Sequence, residues 1–310
     1  MNEHSMNVIP VSGGGRAAVG PDHGWFGWQP MSTRQRPGIS LPPLTLSAVV
    51  DLTAVEWEPP GAEPIIRPTG GRGYAPFPDY PRMSQREYGH RAGIFRLLDV
   101  IEAAGISPIV VLDVLTATHY PSLLDRLRDR VAEFVAGGLS ASRPVTSAMS
   151  EDEEQAYVGA TLEQLGATLG TVPAGWMGPQ WSESHRTPRV LAEHGIVYTM
   201  DWGNDEQPYA FTGAATGLWS YPLSWELSDL NLLVERSVPD TQYGAALTEA
   251  ADVLVADGAV QPRVMGLHLH PWITGQPHMA QVLGDALGRI TATTGVRTAT
   301  PSAMLHQLRS

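Results

Sequence analysis

The chain has 310 residues, 43% hydrophobic and 17% charged, which is enough for one α/β domain of roughly 250 residues with extensions. Its formal net charge of −12 argues against a nucleic-acid partner. The absence of cysteine excludes disulfides and thiolate-bound zinc.

Targeting signals are not evident in the sequence. The first residues lack a basic region followed by an apolar run, and no uninterrupted apolar stretch is long enough to span a bilayer. We therefore expect a cytoplasmic protein without a membrane partner. Such a protein meets small metabolites more readily than intact extracellular polysaccharide, so a small-molecule substrate is favoured.

The N-terminal part is rich in Gly, Pro and polar residues, and residues 1–35 are predicted to form an irregular arm. Residues 36–310 are predicted to form one barrel domain. Its first strand covers 44–51. A Pro/Gly-rich passage then extends to Met83, and a loop of this length is usually functional or mobile.

The rest of the chain alternates between helices and strands. Ser84 and Glu87 form a capping-box pattern at the start of a predicted helix over 84–104, and Ser150 and Glu153 form another before a helix that ends near Leu169. The remaining predicted helices cover 122–135 (or a helix running into a strand), 187–194, 241–257 and 277–294, and the strands cover 108–113, 196–200, 218–222, 264–270 and 296–300. This order predicts parallel strands with helical crossovers, in a closed or nearly closed barrel.

The stretch Val264–Trp272 carries the strongest functional signal. It reads as a buried strand in which His268 and His270 share one face while the leucines between and before them share the other. Pro271 ends the strand. In α/β barrels the carboxyl ends of the strands carry the chemistry, so the two imidazoles are candidate site residues. Two satisfied core histidines are the alternative. Glycine-rich phosphate loops are absent, and we expect no cofactor.

Several motifs together carry a likeness to a known family: Arg36–Gly38, Val55–Trp57, Glu87–Gly93, Met149–Glu154, Gly175–Gly178, Tyr198–Trp202, Asn204–Asp205, Gln207–Tyr209 and His268–Pro271. In this order and spacing they resemble the polysaccharide deacetylases, in particular the branch of deacetylase-fold allantoinases and cyclic imidases. The resemblance implies a distorted (β/α)7 barrel and hydrolysis of an amide-type C–N bond.

The metal ligands implied by this resemblance are not all present. Metal-dependent members use an aspartate pair after strand one and two histidines about four residues apart after strand three. Here the first position reads Val55-Glu56, and the second falls near Gly137 and Ala141, with no histidine. A transition-metal site needs about three protein ligands, so we expect no tightly bound metal.

Three interpretations remain open. The first is a metal-independent hydrolase of a small amide, imide or ureide. The second is a pseudo-enzyme that only binds a ligand. The third is a metal-dependent carbohydrate N-deacetylase whose site is rebuilt from His268, His270 and either Glu56 or Asp201.

For the hydrolase, His270 is predicted to be the general acid or base, and Glu56 and Asp201 are predicted to orient it or to activate water. Each carboxylate could instead be a salt-bridge partner, for which Arg91 is the candidate cation. Tryptophans at strand ends suit a flat or apolar ligand such as a ring amide or imide, although some of them would only plug the barrel. Aromatic side chains also stack on sugar faces, so a carbohydrate is the alternative ligand. The predicted substrate-binding residues are Trp57, Arg91, Trp176, Trp181, Trp202, Asp205, His268 and Trp272. The aromatic arm and the resemblance also favour a homo-oligomer.

Overall fold

The computed structural model describes residues 23–34, 40–58 and 78–309. The strands are β1 Leu44–Asp51, β2 Ile109–Leu112, β3 Glu133–Ala136, β4 Gly175–Trp176, β5 Tyr198–Thr199, β6 Tyr209–Ala210, β7 Trp219–Ser220, β8 Arg263–Leu269 and β9 Val296–Thr298. The α-helices are α1 Tyr80–Tyr88, α2 Ile94–Ala103, α3 Val114–His119, α4 Pro121–Leu127, α5 Glu151–Leu169, α6 Thr187–Glu193, α7 Asp240–Gly258, α8 Pro277–Ala292 and α9 Pro301–Arg309. No helix among these residues is long and apolar enough to cross a membrane.

The sheet is a curled, mostly parallel one. Within the described ranges, seven strands run parallel in the order β8-β1-β2-β3-β4-β5-β7, β6 pairs antiparallel at the edge, and β9 pairs with the start of β1. No strand pairing is present between β7 and β8 in the described residues, so the sheet is open at this point. There the Ser224 amide donates to the carbonyl of Gly266 at 2.9 Å and links the two ends. The predicted distorted (β/α)7 barrel is therefore confirmed.

The two longest strands show the alternation that positions the site. On β8, Leu267 and Leu269 lie in the core that packs against α2, α7 and α8, as predicted. On β1, Leu46 and Val50 lie in the same core, whereas Val49 faces the barrel interior. Because side chains alternate along a strand, Asp51, His268 and His270 all belong to the interior face.

The predicted helix over 84–104 is present but is built differently. It begins at Tyr80, where the Asp79 side chain accepts from a backbone amide at the first turn, so the prediction that Ser84 caps it is wrong. A π-helical turn over Gly89–Gly93 divides it. A Cβ at Gly93 would lie 2.0 Å from the carbonyl oxygen of Pro271, so glycine is required there for the helix to pack against the loop that follows β8.

Other predicted elements agree with the structure to within a few residues. The capping box of Ser150 and Glu153 at the start of α5 is confirmed. The short helix α3 was not predicted. Of the irregular arm, residues 23–34 are described, and the Thr212 amide donates to the carbonyl of Trp25. Arg36–Gly38 and most of the Pro/Gly-rich passage lie outside the described residues.

Candidate active site

The candidate site lies where β1 and β8 end. The two strands are parallel neighbours, with Val49 opposite His268 and Val50 opposite Leu269, so Asp51 and His270 follow at the same carboxyl end. Asp51 was not among the predicted site residues. The register between β1 and β8 places the Asp51 carboxylate beside the two histidines, although these residues are far apart in the sequence.

His270 is held by a carboxylate from a different part of the chain. Its Nδ1–H donates to Asp229 Oδ1 at 2.6 Å, and its backbone amide donates to Asp229 Oδ2 at 2.7 Å. The Thr274 hydroxyl also donates to Oδ2, at 2.8 Å. All three residues are buried. This arrangement fixes the tautomer in which Nε2 carries the lone pair, facing the barrel interior.

Asp51 lies between the two imidazoles. Its Oδ1 accepts from the amide and the hydroxyl of Thr53, at 2.9 and 2.6 Å, which leaves Oδ2 turned to His268 and His270. Burial opposes ionisation, but the two imidazoles and the Arg86 guanidinium outweigh it and hold the pKa of Asp51 well below its usual range. Asp51 is therefore an anion at neutral pH.

His268 has no hydrogen-bond partner within the described ranges at either ring nitrogen, although its side chain is only 3% exposed. Its Nε2 lies 3.5 Å from Asp51 Oδ2, and its ring centroid lies 5.5 Å from that of Trp181. Burial lowers the pKa of His268, and the adjacent His270 lowers it further. The His268 imidazole is therefore neutral at pH 7.

Arg86 is a cation at the edge of this cluster and was not predicted. It extends from α1, donates weakly to the carbonyl of Thr53 at 3.4 Å, and lies 5.8 Å from the ring centroid of Trp272. Burial lowers the pKa of Arg86 to about 10, so it stays charged at neutral pH. No carboxylate among the described residues lies within 4.0 Å of it.

Arg91, the arginine singled out in the sequence, is placed differently. Its side chain is 75% exposed and pairs with Glu87 one helical turn earlier, at 2.8 Å. The idea that Arg91 neutralises a site carboxylate is therefore wrong. Arg86, five positions earlier in the chain, is the arginine that reaches Thr53 and Trp272 beside the cluster.

Glu56 follows β1 but is occupied by neighbours of its own. Ser140 Oγ donates to its carboxylate at 2.6 Å, and Arg143 Nη2 donates at 3.1 Å. Burial opposes ionisation of Glu56, but the hydrogen bonds from Arg143 and Ser140 outweigh it and lower the pKa. Glu56 is thus a paired carboxylate. The carboxylate hydrogen-bonded to His270 is Asp229, not Glu56 or Asp201.

Asp201 forms a half-buried pair with Glu183. The Gly178 amide donates to the Asp201 carboxylate at 2.8 Å, and the Thr199 hydroxyl donates to it at 3.0 Å. The indole of Trp202 donates to Glu183 at 3.0 Å. Burial raises the pKa of Asp201 to about 7, and burial together with the charge of Asp201 raises that of Glu183. The two carboxyls share a proton at neutral pH.

The predicted tryptophans divide into two groups. Trp181 and Trp272 border the histidines, with Trp272 5.8 Å from the ring of His270, and their buried indole N–H groups have no partner in the described part of the chain. Trp176 packs into the core between the sheet and α5, away from the barrel interior. Trp57 is 48% exposed and packs against Tyr80.

Asp205 and Trp202 belong to a separate region. Asp205 forms a bidentate ion pair with Arg34 of the N-terminal segment. Asp205 and Trp202 line a cavity of about 610 Å³ between residues 23–34 and 202–210. Phe26 and Tyr209 also line it. The roles predicted for Asp205 and Trp202 at the substrate stay predictions.

The ligand set implied by the resemblance does not fit a metal. Glu56 is engaged by Arg143, and Gly137 and Ala141 offer no ligating side chain where two histidines are expected. A different set does converge: one ligand atom each from Asp51, His268 and His270, all within 4.8 Å of one another.

Comparison with solved structures places this fold among known ones. The structure of PuuE allantoinase superposes with a TM-score of 0.75 at 20% identity, over 89% of this chain and 94% of the other. Proteins provisionally assigned as polysaccharide deacetylases from Pseudomonas aeruginosa PAO1 and Mycobacterium smegmatis give TM-scores of 0.73 and 0.72 at 21% and 20% identity. They match over 86% and 89% of this chain and 91% and 94% of theirs.

This chain has the fold that an allantoinase shares with polysaccharide deacetylases. The resemblance inferred from the sequence motifs is thereby confirmed at the level of the fold. No protein-family model matches the sequence, and no curated protein sequence does.

Proposed function

We propose that the chain is a hydrolase that cleaves a C–N bond in a small amide, imide or ureide. The pairing of His270 with Asp229 carries this proposal, because it engages Nδ1 and leaves Nε2 turned to the end of the barrel where such folds do chemistry. The fold shared with an allantoinase and with polysaccharide deacetylases supports the same reaction class.

The proposed reaction transfers one proton twice. His270 Nε2 takes a proton from water as the water oxygen attacks the carbonyl carbon, and Asp229 stabilises the imidazolium that forms. His270 then gives this proton to the leaving nitrogen as the C–N bond breaks. The products are a carboxylic acid and an amine or amide, which stay joined when the substrate is a ring. This sequence of steps requires no metal.

Asp51 supports the position of the attacking water. Its Oδ2 lies 3.6 Å from His270 Nε2, too far for a hydrogen bond but close enough for both acceptors to bind one water molecule. The carboxylate is ionised, so it accepts a hydrogen bond from the second O–H of that water. The proton itself stays on the water oxygen. It also favours the imidazolium state of His270 during the reaction.

Groups that stabilise negative charge at the carbonyl oxygen are present as well. The Arg86 guanidinium and the unpartnered indole N–H groups of Trp181 and Trp272 are donors around the same cluster. Several donors around an aromatic-lined site match a planar substrate with more than one carbonyl oxygen, as in an imide or a ureide.

A substrate panel tests the proposal. Chelator-treated wild type and His270→Ala are compared on amides, cyclic imides, ureides and N-acetyl sugars. We expect wild type to turn over at least one small C–N substrate, and the variant to lose about 10²–10⁴-fold of that rate. His306→Ala, which removes an exposed imidazole on α9, is the matched control and keeps full activity.

Two alternatives correspond to other outcomes of the panel. Tight binding of one compound without turnover would make the chain a non-catalytic binding protein, which the ion-paired state of Glu56 favours. Turnover of acetylated sugars alone, only with metal added, would indicate a carbohydrate N-deacetylase with a rebuilt site. The convergence of Asp51, His268 and His270 favours this second alternative.

A further inference from the structure

The ends of β1 and β8 bring three potential ligand atoms to one point. Asp51 Oδ2 lies 3.5 Å from His268 Nε2 and 3.6 Å from His270 Nε2. We propose that these three atoms form a binding site for a divalent transition-metal ion, with Zn²⁺ as the probe. The site differs from the ligand set that the sequence resemblance implies, because only the strand register creates it.

The distances match ligands of a shared ion better than hydrogen bonds. An N–H···O hydrogen bond has a donor–acceptor distance of about 2.7–3.2 Å, which both separations exceed. In a tetrahedral zinc site with bonds of about 2.0–2.1 Å, two ligand atoms are roughly 3.3 Å apart. The observed separations of 3.5 and 3.6 Å are close to this ligand–ligand distance. Small side-chain rotations are therefore enough to bring the three atoms around an ion.

The state of His268 is an independent observation that points to a ligand. Its side chain is buried, and neither ring nitrogen has a hydrogen-bond partner among the residues described. A buried polar atom without a partner is costly, and the great majority of such atoms are paired in native proteins. Coordination through Nε2 gives this imidazole a close partner, which Asp51 Oδ2 at 3.5 Å does not provide.

The surroundings of the other two ligands also suit an ion. Asp229 accepts from His270 Nδ1, which is the carboxylate–histidine arrangement that orients metal-bound imidazoles. Thr53 donates twice to Asp51 Oδ1 and leaves Oδ2 as the free donor oxygen. Two imidazoles and a carboxylate are ligands that Zn²⁺ accepts, and a fourth position stays open.

One charge opposes the ion. The Arg86 guanidinium acts on Asp51 as a positive charge, so it weakens the attraction of this carboxylate for a divalent cation. We therefore expect weaker binding than in structural zinc sites that use four protein ligands. The inference concerns binding alone, and it stands whether or not the proposed hydrolysis is correct.

Calorimetric titration of the chelator-treated full chain with Zn²⁺ tests the site. We expect one equivalent to bind to wild type, with affinity reduced at least tenfold by His268→Gln and by Asp51→Asn. Asp229→Asn removes no ligand and should weaken binding by about 10–100-fold. His306→Gln removes an exposed histidine and should leave the titration unchanged.

The same variants show whether folding explains a loss. Circular dichroism must show wild-type secondary structure, and Zn²⁺ should raise the unfolding temperature of wild type but not of His268→Gln. The inference is overturned if wild type binds no Zn²⁺, or if Asp51→Asn and His268→Gln bind it as tightly as wild type. Loss of hydrolysis in the substrate panel would not change either result, so the two proposals fail separately.

Discussion

Asp229 binds His270 twice, through the backbone amide at 2.7 Å and through Nδ1 at 2.6 Å, although the two are 41 positions apart in the chain. Asp229 immediately precedes the π-helical turn Leu230–Glu235, and His270 immediately follows β8. Since one contact holds the backbone of His270 and the other holds its ring, Asp229 is a positioning residue for the proposed proton transfer.

Replacing Asp229 with asparagine should lower kcat by about two orders of magnitude or more, because the amide no longer fixes the tautomer or stabilises the imidazolium. KM should change little. The pH profile of kcat should shift, and the low-field NMR signal of His270 Nδ1–H should disappear. Asp252→Asn, an exposed carboxyl that pairs with Arg289 on α8, is the control. An unshifted pH profile would assign Asp229 a purely structural role.

Arg86 should matter more than Arg91. Arg86→Met removes the cation beside Asp51, and we expect a loss in kcat/KM of about 10²–10³-fold, the size seen when one oxyanion donor is removed. Arg86→Lys should recover part of this loss, because the charge is kept. Arg91→Met removes an exposed ion pair and should have no effect. A larger loss in Arg91→Met than in Arg86→Met would restore the assignment made from the sequence.

Zinc should inhibit hydrolysis. His270 Nε2 has one lone pair, so it cannot hold an ion and accept a proton at the same time. The inhibition constant should equal the Kd measured by calorimetry, and chelator should restore the rate. Mg²⁺, which prefers oxygen ligands in octahedral geometry, is the control ion and should not inhibit. Activation by Zn²⁺ would instead indicate a reaction that uses the metal.

Stability should depend on pH through Glu183 and Asp201. Their folded pKa values lie above the unfolded values of about 4, so the folded chain binds more protons between about pH 4 and 7. The free energy of unfolding should therefore fall as pH rises through this window. Glu183→Gln should flatten the dependence in urea titrations between pH 5 and 8. The exposed Glu163→Gln should leave it unchanged.

The expected homo-oligomer is a separate prediction. It comes from the aromatic N-terminal arm and from the sequence resemblance. Light scattering of the purified chain should give a mass of at least twice that of one chain, and the mass of a single chain would refute it.

Much of the fold could be predicted from the sequence, because alternation and caps are local. The strand Leu44–Asp51 and the capping box at Ser150 are confirmed at their predicted positions. The helix start at Tyr80 was missed because Ser84 and Glu87 resemble a cap, while Asp79 performs that function. A capping motif shows only that a helix can begin there, and packing decides whether it does.

The site was predicted only in part, because its partners are distant in sequence. His268 and His270 were found from their spacing on one strand. Asp51 ends the first strand and could have been found by extending the strand pairing to the carboxyl end of β1. Asp229 lies in an irregular segment with no periodic pattern, and no sequence signal connects it to His270. Glu56 stands where the resemblance implies an acid after the first strand, but Arg143, which pairs with it, is 87 positions away and leaves no local signal.

The side-by-side register of β1 and β8 has an evolutionary consequence. Asp51 and His268 lie on adjacent strands whose backbones are held in place by their ladder, independently of these two side chains. A lineage with this barrel can therefore gain or lose the proposed ion site by one substitution at position 268, while Asp51, His270 and Asp229 stay intact. Sensitivity to trace metals would then vary between close relatives that catalyse the same reaction.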